Sequence, residues 1–195
     1  MKRISLSILS LALTLLTMTS CTKSVTRVSP DQTIDLSGRW NDTDSRLVAE
    51  EMTMDALGSA WLNRFYQAKN KAPVMIVGVI TNRSSEHIEA ETFIKDIERE
   101  FIKSSQIRIV QNAVLREKIR EERADQQNFS SLDTQKKWGL ELGADYMMFG
   151  TINSITDMEG RKKVIFYQIN LELTDIQTNE IVWIGDKKIK KYIVN

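Results

Sequence analysis

Between Val164 and Asp175 the chain places Ile165, Tyr167, Ile169, Leu171 and Leu173 at every second position, with Phe166, Gln168, Asn170 and Glu172 between them. Only an extended strand sends alternate side chains to opposite faces. This stretch therefore belongs to a sheet with one face on a core and a mostly polar face outward. Turn formers bound it on both sides. Asp157 to Arg161, with Gly160, precede it, and Gln177-Thr178-Asn179-Glu180 follow, where Asn tolerates positive φ. Tyr146 to Ile152 and Ile181 to Tyr192 then read as its neighbours, which gives three consecutive antiparallel strands.

A second strand signal lies upstream. Val74 to Ile80 is apolar without alternation, and a run of that kind fits a strand buried on both faces. Ile107-Arg108-Ile109-Val110 is a shorter one. Helical spacing fills the rest. Leu47, Met54, Leu57, Trp61, Phe65 and Ala68 recur at intervals of seven, three, four, four and three, one stripe of a helix that Asp42 or Asp44 can cap. Phe93, Ile97 and Phe101, widened by Ile94, mark another, ended by Ser104-Ser105. Asn112 caps a third, carrying Leu115 and Ile119, and Gln126 to Ser131 reads as a polar loop. Asp133 caps a fourth with Trp138 and Leu142 inward, and Gly143 reads as its left-handed stop. Trp40, in the turn-rich stretch before the first helix, is either a partner-facing ring or one packed beneath the sheet, and the second reading is adopted. The expectation is an α/β fold: a single three-layer-like domain, with a mixed β-sheet of about five strands, the last three an antiparallel meander, packed with about four helices.

The N-terminus sets where such a domain works. Lys2 and Arg3 precede a mostly apolar run from Ile4 to Leu16, and Met18-Thr19-Ser20 leads to Cys21, the only cysteine. This is the layout of a secretory signal, and the apolar run is short for a membrane span, which takes roughly 20 apolar residues. Residues 1–20 are read as a signal peptide, 21–37 as a lipidated N-terminus and flexible tether, and 38–195 as the globular domain. A lone cysteine makes no internal disulfide, so an acyl attachment at Cys21 is the better use of it than a bare thiol after an ordinary cleavage site. One acyl chain holds marginally and two or three hold stably. Of 27 Lys and Arg residues, two leave with the signal, so 25 cations remain against 26 carboxylates. That balance supplies no broad field for gathering nucleic acid. The sixteen residues after Cys21 extend at most about 58 Å.

The residues offer little chemistry. His87 is the only histidine, and no second histidine, free cysteine or serine elbow completes a nucleophilic constellation around it. Zinc needs several Cys or His ligands, and the glycines fit no phosphate-cradling motif. The acids near Asp42 fit capping and a solvated face better than a metal site. No catalytic residue, metal site or cofactor is assigned, and no small-molecule substrate; the chain reads as a tethered binding domain rather than an enzyme. The polar stretch Thr81 to His87 follows a buried strand, at the sheet end where partner contacts gather in open α/β sheets. Lys187, Lys188, Lys190 and Lys191 have the composition of a patch for an acidic partner or phosphate. Lysines that guard an exposed strand edge give the same pattern, and that reading is adopted.

A family resemblance goes further. DLSGRWNDTDSRLVAEEM, TNRSSEHI, LGADYMMFGTI and VIFYQINLELTDIQTNEIVW with the following KKIKK, in this order from about Asp35 to Lys191, resemble the LpoB family of penicillin-binding protein activators. Met18 to Cys21 is similar to a bacterial lipobox, and the domain is similar to the N-terminal domain of TolB and to part of the curli-secretion lipoprotein CsgG. The resemblance implies lipid attachment at Cys21 and an outer-membrane lipoprotein facing the periplasm. It also implies a class A penicillin-binding protein, a peptidoglycan synthase, as the partner that is bound and activated. Asn82, Arg83 and Ser84, in the matched loop, are the candidate partner surface. The tether is short beside the long ones of better-known members. The alternative is a lipoprotein subunit of an outer-membrane assembly or secretion complex.

Overall fold

The computed structural model describes residues 23–30, 32–131, 133 and 141–194. The chain forms two units, the first ending at Gln32 and the second beginning at Thr33. In the first, the described residues are exposed and belong to no helix or strand, with one turn in which the Gln32 amide donates to the Ser29 carbonyl at 3.0 Å. Signal peptide and Cys21 lie outside the described residues.

The second unit runs, in order, α1 (Asp42–Gly58), α2 (Ala60–Lys69), β1 (Val74–Asn82), α3 (Ala90–Ser104), β2 (Arg108–Ile109), α4 (Ala113–Phe129), β3 (Tyr146–Glu159), β4 (Lys162–Asp175) and β5 (Ile181–Val194). The sheet has the order β2-β1-β3-β4-β5. β1 is parallel to β2 and β3, and β3, β4 and β5 are antiparallel neighbours, so the sheet is mixed. The fold is that expected: one α/β domain with five strands, the last three a meander, and four helices among the described residues. β2 and β3 flank β1 on opposite sides, so right-handed crossovers send α3 and α4 toward opposite faces.

The core forms on one face of the sheet. Ile165, Tyr167, Ile169, Leu171 and Leu173 of β4 are all buried there, with Met148 and Ile152 of β3, beneath Phe93, Ile97 and Phe101 of α3. Each large apolar side chain so enclosed contributes about 1.5–3 kcal/mol. α1 packs against both α3 and β5. Trp40 docks at the rim of this core, edge-on to Phe93 (6.2 Å between ring centroids) and Tyr167 (5.6 Å).

Several local expectations give way. The first helix is capped by Asn41, whose side chain accepts from the Asp44 amide while Asp44 reaches back to the Asn41 amide; Asp44 completes the box as its third residue rather than acting as cap. The single stripe from Leu47 to Ala68 does not exist. The helix breaks at Ser59, which is extended, and the phase is lost across the break. Leu47, Met54 and Ala68 are exposed, while Val48, Ala49, Met52 and Ala56 face the core. β1 is buried on both faces only from Val74 to Val77; Val79, in the irregularity where the register against β3 shifts between Val77 and Ile80, is exposed. Residues 126–129 are the last turn of α4 rather than loop, since neither Gly nor Pro stops the helix there and Gln126 bonds back to Glu122 at 2.9 Å. Gly143 is not among the positive-φ residues, so it is no left-handed stop, and Leu142 is exposed. The helix expected after Asp133, with Trp138, falls largely outside the described residues.

The hairpin turns match their chemistry. Gly160 has φ of +57° in the two-residue β3–β4 turn, and Asn179, φ +61°, serves the β4–β5 turn.

Candidate partner-binding surface

β1 ends at Asn82, and the loop that follows is built around that side chain. The Asn82 amide nitrogen donates to the Glu86 carbonyl at 2.8 Å, and its oxygen accepts from both the amide (2.9 Å) and the hydroxyl (2.6 Å) of Ser84. The Ser84 hydroxyl oxygen in turn accepts from the Glu86 amide at 3.2 Å. An Asx-type turn of this kind fixes a loop by side chain where no strand partner is present. The loop is also stitched to β3: the Arg83 amide donates to the Ile152 carbonyl at 2.8 Å, and the Ser85 amide to the Ser154 hydroxyl at 3.2 Å.

Beneath the loop sits Glu86. Its Oε2 accepts from the Tyr167 hydroxyl at 2.8 Å and from the Trp40 amide at 3.1 Å, which joins loop, sheet and the segment preceding α1. Burial first, and the Glu86 carboxylate second, push the Tyr167 phenol well above its ordinary range, so it stays a donor.

The three candidate residues thus divide. Asn82 and Ser84 spend their polar atoms on the loop itself. Arg83 is exposed, with its guanidinium in no ion pair among the described residues. His87 is likewise exposed and lies 2.6 Å from Glu89, a solvated pair with no nucleophile beside it. Sequence reasoning missed Glu86 and Trp40 as the loop's foundation, because their partners are 81 and 46 positions away.

The lysines of β5 also divide, by face. Lys187 pairs with Glu51 of α1; Lys191 reaches Asp44 at 2.6 Å and Asp35 at 2.9 Å and donates to the Arg39 carbonyl at 3.0 Å. These two tie the helix layer and the entering chain to the edge strand. Lys188, paired with Asp186 at 2.9 Å, and Lys190 alternate onto the other face. No cluster of His, Cys, Asp and Glu suited to a metal, and no helix long and apolar enough to cross a membrane, occurs among the described residues.

The C-terminal domain of LpoB from Escherichia coli is 17% identical over 78% of this chain and 99% of that one, with a TM-score of 0.42. The NMR structure of E. coli LpoB is 13% identical, covering 92% of this chain and 84% of that one, with a TM-score of 0.43. Lipoprotein GNA1162 from Neisseria meningitidis is 14% identical, covering 63% and 84%, at 0.39. No curated protein sequence matches the chain. The model of the peptidoglycan-synthase activator LpoB matches residues 44–189, from the capping box of α1 well into β5, and the chain belongs to that family.

Proposed function

We propose that this protein is a lipoprotein of the outer membrane, anchored through Cys21 and facing the periplasm, that binds a class A penicillin-binding protein and raises its peptidoglycan synthesis. The observation that carries the reading is the family match over residues 44–189, which takes in α1 to β5. The loop Thr81 to His87 is the proposed contact, with Arg83 as the group that meets the partner and Asn82 and Ser84 as its frame. Activation needs no chemistry from this chain. An accessory region of the synthase bound in its active conformation more tightly than in its resting one shifts the population toward activity. Holding both partners near one surface raises the effective concentration of the pair, so a modest interface suffices.

The test has two steps. Crosslinking in envelopes that contain the acylated protein should recover a synthase. Adding the purified protein to that synthase should then increase glycan-strand formation from lipid-linked precursor. Recovery of a stable stoichiometric complex without any synthase would instead favour an assembly or secretion subunit.

A further inference from the structure

The meander overshoots the helix layer at one end. β3 from Ile155 to Glu159 is exposed along its whole length, and Ile155, Met158, Tyr192 and Val194 are each 63–68% exposed. The register brings them together: Ile155 lies opposite Phe166, Val164 opposite Tyr192, and Lys162 opposite Val194. Strand alternation puts Ile155, Tyr192 and Val194 on the open face and Met158 on the reverse. The tip therefore presents apolar side chains on both sides. A rigid protein surface covers one side of a hairpin, whereas a lipid layer closes around both.

The charges fit the same medium. Arg161, Lys162 and Lys163 occupy and follow the turn, and Lys190 adds to the open face; none has an ion pair among the described residues. Asp157 and Glu159 are the carboxylates of this tip. Long basic side chains that lay their stems on apolar surface and lift the charge to phosphates, beside an exposed tyrosine, compose an interfacial surface.

The chain also enters the body here. Asp35 is held by Lys191, and Gly38, with φ of +67°, lies so close to Ile193 that a Cβ would collide with that side chain. Leu36, between them, is 93% exposed. From Cys21 to Thr33 the chain reaches at most about 42 Å. An anchor at Cys21 thus leads to the end of the domain that carries the exposed tip.

We infer that the β3–β4 hairpin tip and the end of β5 form a surface that rests on an anionic phospholipid layer, which holds the body against the membrane beside its own anchor. This rests on the Cys21 anchor proposed above. The acylated protein is reconstituted in phosphatidylethanolamine–phosphatidylglycerol vesicles. Cys21 is the only cysteine, so Met158→Cys supplies the single free thiol for a fluorophore, and Gln177→Cys, in the β4–β5 turn at the opposite end, supplies the control. Brominated lipids should quench the probe at position 158 at least twofold more than at 177. Adding Arg161→Glu and Lys162→Glu should lower quenching at 158 to the control level. Protein that floats with the vesicles but is quenched equally at both positions overturns the lipid contact and leaves the anchor standing. Protein that does not float, with a bare Cys21 by mass spectrometry, overturns the anchor and the inference together.

Discussion

The hydroxyl of Tyr167, in the centre of β4, donates to the carboxylate of Glu86 at 2.8 Å, across 81 residues of sequence. The same oxygen accepts from the Trp40 amide, so one acidic side chain holds the loop after β1, the sheet and the segment before α1 in register. Removing the two ends of this bond should not cost the same. Tyr167→Phe loses a hydrogen bond but leaves Glu86 its other donor, at about 0.5–1.5 kcal/mol; Glu86→Ala strands a buried hydroxyl and an amide, at about 1–3 kcal/mol for each group left dry. Urea unfolding of the two variants and their double mutant should show Glu86→Ala as the more damaging change, with Tyr167→Phe adding little on top of it. Equal costs would mean that Glu86 is not the hub.

The Lys191 cluster predicts a pH window. Burial, the largest single influence on Lys191, would lower its pKa, but the hydrogen bonds and charges of Asp35 and Asp44 together outweigh it and raise it. The hydrogen bond from Lys191 leads the influences that lower Asp35. A raised lysine contributes stability that is complete below its unfolded pKa and is lost as pH rises through the folded one. A depressed carboxylate contributes stability above its unfolded pKa, lost as pH falls through the folded one. The segment Thr33 to Trp40 should therefore stay docked between about pH 4 and pH 10 and loosen on either side. Amide exchange at Arg39 and Trp40 should report it. Lys191→Met should abolish the alkaline limb for this segment and shrink the acid one, to which the Asn41 hydrogen bond to Asp35 still contributes, while the exchange of β4 is unchanged.

Legibility followed the range of the interaction. β4 was readable because its alternation is local and unbroken, and Asn112 and Asn179 declared their roles through side-chain chemistry within three residues. The inner face of α1 was not. It is made of Thr43, Asp44, Ser45, Ala49, Thr53 and Ala56 beside only Val48 and Met52, and small or polar residues leave no hydropathic stripe. The larger Leu47 and Met54 are exposed, so the strongest hydropathic signal of the helix lies on its solvent side. The loop at Asn82 was located from the end of a buried strand, but which of its side chains faces outward depended on Ser154 and Ile152 of a strand that begins more than sixty residues later. Likewise the β5 lysines form one run in the sequence, and only their partners in α1 and the entering segment, up to 156 positions away, separate them by face.

Gly150 marks where the sheet tolerates no side chain. It lies in β3 between β1 and β4, and a Cβ there would run into Leu171 Cδ2 and come within 2.9 Å of the Asn170 carbonyl oxygen. Backbone and a fully buried leucine cannot both yield, so Gly150→Ala should cost about 1–3 kcal/mol through overpacking. Gly58, with open space around it, is the matched control. Gly58→Ala should leave the urea midpoint unchanged or raise it slightly, since alanine favours the helix end it occupies.

Arg83 and Asn82 are adjacent, and their variants should fail in different ways. The Arg83 side chain makes no ion pair among the described residues, while its amide holds the Ile152 carbonyl through the backbone, a bond that a substitution does not remove. Arg83→Glu should therefore leave stability within about 0.5 kcal/mol of the parent, as an exposed substitution does. At a partner surface that presents carboxylates or carbonyls, it should weaken synthase binding at least tenfold, about 1.4 kcal/mol. Asn82→Ala removes the bonds to Ser84 and Glu86, so the loop loses its frame. Melting temperature and affinity should then fall together. Arg83→Lys keeps the charge and should recover part of the binding. Affinities from immobilised synthase, set against thermal melts of the same preparations, separate the two modes. An Arg83→Glu variant that melts normally and binds and stimulates the synthase as the parent does would remove the loop from the interface.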